Sequence, residues 1–238
     1  MNPSFQKKFP AFKSLQYRDF RWLWLSTFAA FMAISMQMIT RGWLILRLTD
    51  DSPLALSLVM MSFALPMTVV SPFGGALADR FSRRKIIILT QSVNAIMTLI
   101  LATLDMSGLI RFWHLIVTGV ANGTMASLNM PSRQSIVSDM VPTDDLMNAI
   151  SLNSSGMNIT RVIGPATAGL LIIWLDTAGV LYLIVFVYAL SVFFTSFIRR
   201  PEKIEKKTGK SMVTDIFEGL KYAKREPTLW GLLIMSFI

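Results

Sequence analysis

GGALADRFSRRKIII, residues Gly74 to Ile88, puts one acid and four basic residues between two apolar runs, with a pair of glycines just before the acid. A chain reverses direction at such a place. The apolar run before it and the one after it are each about 20 residues long, the length that crosses a bilayer core as a helix. Four basic residues in a short turn between two such runs hold that turn on one side of a membrane. A turn that only fixed topology would need the basic residues. It would not need Gly74 and Gly75, which let another backbone approach closely, or the placed carboxylate of Asp79.

The rest of the 238-residue chain agrees with a membrane reading. It is 53% hydrophobic and 16% charged, a combination seldom found in soluble domains. There is no cysteine and one histidine, so disulfides, thiol chemistry and a Cys- or His-rich metal site are excluded, and no cofactor is expected. Apolar runs predict six spans at about 20–46, 54–78, 85–104, 109–131, 147–174 and 178–198. A basic, polar segment follows over 199–227, and a further apolar run begins at Thr228. The first 21 residues lack the cleavage pattern of a signal peptide.

The net charge of +9 follows topology rather than nucleic-acid binding. Nineteen of the 23 Lys and Arg residues fall in the N-terminal tail, the second loop, a fourth loop holding Arg133, and the segment after span six. The opposite loops hold only Arg47 and Arg111. This asymmetry predicts a multi-pass protein with its N-terminus and residues 199–227 in the cytoplasm.

The opening stretch resembles the signature between the second and third helices of the major facilitator superfamily, G-x-L-A-D-R-x-G-R-R-[KR]. Gly75 through Lys85 match it, apart from Ser82 where the family usually has glycine. The resemblance implies an all-α membrane protein: the N-terminal six-helix bundle of a twelve-helix transporter over 1–198, a cytoplasmic linker over 199–227, and the start of helix seven over 228–238. It also implies a conformational latch at Gly75, Asp79, Arg80, Arg83 and Arg84, with Asp139 as a third charged member. A carboxylate facing a helix N-terminus gains about 0.3–1 kcal/mol, which is enough to bias a conformational equilibrium.

A second stretch, RVIGPATAGLL from Arg161 to Leu171, resembles the fifth-helix motif of major facilitator exporters, G-x-x-x-G-P-x-x-G-G. Gly164, Pro165 and Gly169 match; Ala168 and Thr160 stand where the family has glycine. The same residues also suit a packing kink. The wording from Met130 to Gly169, and from Ser14 onward, is similar to the exporter branch that holds the enterobactin exporter and the macrolide-efflux proteins. That likeness implies export and specifies no cargo. One departure concerns coupling. Gly119 stands where proton-coupled exporters carry an arginine in span four, and Asp50, Asp51, Asp105 and Asp176 all lie near the outer span ends.

Polar residues inside spans are costly and point to function. Arg161 falls near mid-span, with Ser154 and Asn158 on its face at helical spacing. Span four offers Thr118, Asn122 and Asn129, and span one offers Gln37 and Arg41. Such faces line a cavity or hydrogen-bond between helices. By resemblance, helices one, four and five line the central cavity on this half, and an arginine there favours anionic cargo. The tryptophans near span ends read as interfacial anchors.

The function expected is secondary active export of a small amphipathic molecule, of drug or siderophore type, across a bacterial inner membrane. It proceeds by alternating access, with protons as coupling ion and a monomeric full-length protein. Uptake by the same fold, and a six-span scaffold or homodimer without transport, are the alternatives. No enzymatic constellation stands in any loop.

Overall fold

The computed structural model describes residues 10–199; the side chains of Pro10, Ala11, Ala76 and residues 78–80 fall outside that description. A short 3₁₀ helix, Pro10–Gln16, is followed by α1 (Arg18–Leu48), α2 (Pro53–Arg80), α3 (Arg83–Met106) and α4 (Phe112–Met140). The last helical stretch, Thr143–Ser196, is broken at Asp176, whose φ of 56° and ψ of 177° are not helical. The parts before and after the break are α5 (143–175) and α6 (177–196). Among the described residues there is no strand.

Local chemistry explains the boundaries. Ser52 caps α2, accepting from the Ala55 amide, and Pro53 takes the first position, where its missing donor costs nothing. Ser82 caps α3 by accepting from the Lys85 amide at 3.4 Å. The residue that replaces the glycine of the signature therefore starts the third helix.

Among the described residues, four helical stretches are long and apolar enough to cross a bilayer: α1, α2 over Pro53–Gly75, α3, and Thr143–Ser196, which has length for two passes. The remaining long helix, α4, carries too many Asn, Ser and Thr side chains to match them. It also runs further than its apolar pattern suggests. The predicted span ends at 131 and leaves Arg133 in a loop. Instead the helix continues through Pro131 to Met140, and Arg133 is buried within it. Pro131 removes one helical hydrogen bond, but Ile136, Val137 and Met140 keep an apolar face packed beyond it.

The helices pair in a definite pattern. α1 packs mainly on the α5–α6 stretch, α2 on α4, and α3 on both α4 and the α5–α6 stretch. The α2–α4 contact is a backbone approach: a Cβ at Gly74 would collide with the Ser127 carbonyl, and one at Gly123 with the Phe63 carbonyl. Two apolar clusters fill the bundle. One holds Phe20, Leu23, Ile87 and Ile136, near the end that carries the α2–α3 turn. The other holds Met36, Leu44, Leu101, Leu115 and Leu181, toward the far end. Between them along α1, α3, α4 and α6 runs a layer of buried polar residues, among them Ser26, Thr90, Asn129, Arg133 and Ser191.

Candidate functional site

Two groups of polar side chains lie within this bundle, and they differ in whether they are satisfied. The first surrounds Arg133. Its Nε donates to Asn129 Oδ1 at 2.8 Å, and its Nη1 to Thr27 Oγ1 at 3.0 Å. Its Nη2 reaches Ser191 Oγ at 3.3 Å, and Asn129 Nδ2 donates to Thr90 Oγ1 at 2.5 Å. One guanidinium thus ties α1, α4 and α6 together, using neutral acceptors only. Gln37 behaves likewise, donating to Thr98 Oγ1 at 2.9 Å and accepting from the Tyr188 hydroxyl at 2.8 Å.

The second group lines a cavity of about 440 Å³ between α1, α2, α3 and α4, with Tyr188 of α6 at its wall. Its surface is mostly apolar and flexible, with Met38, Met60, Phe63 and Met67 among the lining residues. Set into that surface are Arg41, Gln91, Asn94 and Asn122. All four are buried, and all four carry side-chain atoms with no hydrogen-bond partner: Arg41 Nε and Nη2, both ends of the Gln91 amide, Asn94 Oδ1 and Asn122 Oδ1. Unsatisfied buried polar atoms cost about 1–3 kcal/mol each. Four such residues stand around one cavity, where water or a bound solute can meet them. No acidic residue is among those lining it.

The predicted cavity residues divide accordingly. Gln37, Arg41, Asn122 and Asn129 line the cavity. Thr118 is buried in α4 with its hydroxyl bonded back to the His114 carbonyl. Ser154, Asn158 and Arg161 are exposed on α5 and do not line this cavity. Sequence reasoning passed over Gln91 and Asn94, although their spacing of three in an otherwise apolar third span places both on one helix face. It also passed over Tyr188.

The charged turn comes together with α4. Arg83 Nη1 donates to Asp139 Oδ2 at 2.6 Å and to the Ser135 carbonyl at 3.2 Å. Arg84 Nη2 donates to the Ser196 carbonyl at 2.7 Å, holding the end of α6. Gly75 faces open space. Asp79 and Arg80 occupy the last turn of α2, and their side chains lie outside the described residues. At the far end Asp105 is buried and accepts from both Arg47 and Thr177, so it serves as an interhelical clasp. In the fifth helix, a Cβ on Gly164 would come within 2.5 Å of Ser35 Cβ, whereas Gly169 has nothing near it. Gly119 lies against the Ser62 side chain, whose hydroxyl would have to turn away to admit a Cβ there.

A further contact joins the N-terminal segment to α5. Lys13 Nζ pairs with Asp145 Oδ1 at 2.8 Å, Tyr17 donates its hydroxyl to Oδ2 at 2.7 Å, and Ser14 Oγ lies 2.6 Å from Asn148 Oδ1. Trp22 and Trp24, read as interfacial anchors, also pack inward: Trp22 stacks on Phe197, and Trp24 Nε1 donates to the Leu152 carbonyl. Trp43, Trp113 and Trp174 are exposed.

The bundle thus combines a glycine-lined α2–α4 seam, a basic α2–α3 turn braced on α4 and a mostly apolar cavity. Comparison with known proteins decides the family. Residues 10–238 match the family described as transmembrane secretion effector. The chain belongs to that family, within the major facilitator superfamily. It is 33% identical over 189 residues to the uncharacterized MFS-type transporter YfiS of Bacillus subtilis, covering 76% of this chain and 44% of that protein. It is 28% identical to the staphyloferrin A transporter of Staphylococcus aureus, over 64% of this chain and 38% of that protein. The quinolone resistance protein NorA of Staphylococcus aureus is 26% identical over 48% of this chain and 28% of its own length. The chain therefore spans less than half the length of the curated relatives it matches. The family and these relatives are membrane transporters or resistance proteins, not enzymes.

Proposed function

We propose that this chain forms the N-terminal bundle of a secondary active transporter that exports a small amphipathic molecule by alternating access. The observation that carries the proposal is the cavity between α1, α2, α3 and α4, apolar in most of its wall and furnished with four buried residues whose polar atoms lack partners. An amphipathic solute satisfies both parts of that surface. The family's description as a secretion effector and the relative named for quinolone resistance favour export over uptake. In this reading residues 1–198 are one bundle, 199–227 a cytoplasmic linker and 228–238 the start of a second bundle.

The end of the bundle that carries the α2–α3 turn faces the cytoplasm of a bacterial inner membrane, because Arg83, Arg84 and Lys85 gather there. The Arg83–Asp139 pair braces the turn from which Asp79 engages the second bundle as a latch. Ser154, Asn158 and Arg161, exposed on α5, face that second bundle across the central cavity rather than lipid. Gly164 and Pro165 set the close packing of α5 on α1 that rocking must preserve. The driving ion is the proton. With no acid in the cavity wall, the titrating group lies elsewhere than in this lining.

The test is transport by the full-length protein in everted vesicles of a strain deprived of its other multidrug pumps. Energised vesicles should accumulate amphipathic fluorescent solutes, and a protonophore should abolish the accumulation. Accumulation only in right-side-out vesicles would reverse the direction. No solute movement in either orientation, with the protein inserted, would remove the proposal.

A further inference from the structure

Arg41 carries the information about cargo. It is 8% exposed, lies in the cavity wall, and has two nitrogens without partners, Nε and Nη2. These two donors lie on the same edge of the planar guanidinium, so their hydrogens point in parallel. That edge is the fork that takes the two oxygens of a carboxylate. The contrast with Arg133 is direct. Arg133 is equally buried, yet all three of its nitrogens donate to side chains on its own and neighbouring helices. One arginine is consumed by the fold, and the other stands in the cavity wall with its Nε–Nη2 edge unbonded. A buried guanidinium facing no carboxylate is costly until an anion reaches it.

We infer that the cavity takes a carboxylate-bearing amphipath, with the carboxylate on the Nε–Nη2 edge of Arg41. The amides of Gln91 and Asn122 then meet hydroxyl or amide groups of the same molecule, while Met38 and Phe63 cover its apolar body. This rests on reading the cavity as the substrate site, and it adds the chemical class of the substrate.

The test uses two probes of one shape, 2-naphthylacetate and 2-naphthylacetamide, binding to the full-length protein in phosphatidylcholine nanodiscs. The acid should bind at least about tenfold more tightly than the amide, since a charge-assisted fork is worth that much or more. Arg41→Gln should bring the ratio to about one and leave amide binding in place. Where that variant does not fold, Arg41→Lys carries the test, because a point charge cannot reproduce the fork and the ratio should fall severalfold. Equal affinities in the wild type, as when a carboxylate of the protein itself fills the fork, would overturn the inference while leaving the cavity as a binding site. An unchanged ratio in Arg41→Gln would do the same. If neither probe binds, the cavity reading fails and takes the inference with it. Acid affinity that persists when phosphatidylglycerol replaces part of the phosphatidylcholine assigns the fork to a solute. Its loss would hand the fork to lipid headgroups and overturn the solute assignment.

Discussion

Arg83 and Asp139 meet at 2.6 Å, and the same guanidinium nitrogen also reaches the Ser135 carbonyl. This pair fastens the α2–α3 turn to the last turn of α4. Both side chains are largely buried, so the pair is shielded better than a surface ion pair. Arg83→Ala and Asp139→Asn should each lower the stability of the solubilised protein by about 1 kcal/mol or more. A double-mutant cycle measures the coupling between them. Strictly additive effects would show that the contact contributes nothing.

The carboxylate of Asp79 is proposed to act on the second bundle, not on this fold. Asp79→Asn should therefore reduce transport several-fold while membrane insertion and thermal stability stay near wild type. Transport assays paired with thermal unfolding separate the two effects. Full retained transport would remove the latch.

Gly164 and Gly169 belong to one motif but differ in surroundings. Gly164→Leu forces side-chain atoms into Ser35 and should cost about 1–3 kcal/mol of overpacking, read as a lower midpoint of thermal unfolding. Gly169→Ala meets nothing within 4 Å, and it should be neutral or stabilise by up to about 1 kcal/mol through helix propensity. Equal effects at the two positions would contradict the packing described.

The N-terminal 3₁₀ helix should stay docked over a wide pH range. The bond from the Lys13 ammonium, and then that from the Tyr17 hydroxyl, hold the Asp145 carboxyl below the usual carboxylate range. The same carboxylate raises Lys13. A depressed carboxyl contributes stability above its unfolded pKa of about 3.9, and this is lost as pH falls through the lower folded value. A raised amine contributes below about 10.4, and this is lost as pH rises through the higher folded value. Docking should therefore be constant from about pH 5 to 9 and loosen outside that window. Hydrogen exchange of residues 10–16 reports it, and Asp145→Asn should speed that exchange at neutral pH.

Much of this was legible in the sequence, and the reasons are physical. Apolar runs of bilayer length and basic turns announce a helical membrane bundle without reference to tertiary contacts. Gly75 through Lys85 pointed to the superfamily by resemblance, whereas the close backbone approach in the structure belongs to Gly74 just before that stretch. Arg133 was misplaced because its span falls below the hydropathy of its neighbours. Pro131 reads as an end, and only tertiary packing on Ile136 and Met140 shows otherwise. Gln37 and Arg41 looked alike as polar residues one turn apart in a span. The fold separates them, since Gln37 spends both ends of its amide on Thr98 and Tyr188 while Arg41 keeps an unbonded edge. Whether a polar side chain is satisfied depends on its neighbours across the bundle, and one helix's sequence does not contain them.

The central claim is that the cavity alternates between the two sides of the membrane. This chain contributes no cysteine, so an Ala126→Cys substitution in the cavity wall, compared with the same full-length protein lacking it, reports on the cavity. A membrane-impermeant maleimide should label it in full-length protein from the outside of cells and from the cytoplasmic face in everted vesicles, with Asp79→Asn changing the ratio of the two. Labelling from neither side, or from one side only under all conditions, would contradict an alternating cavity at this site.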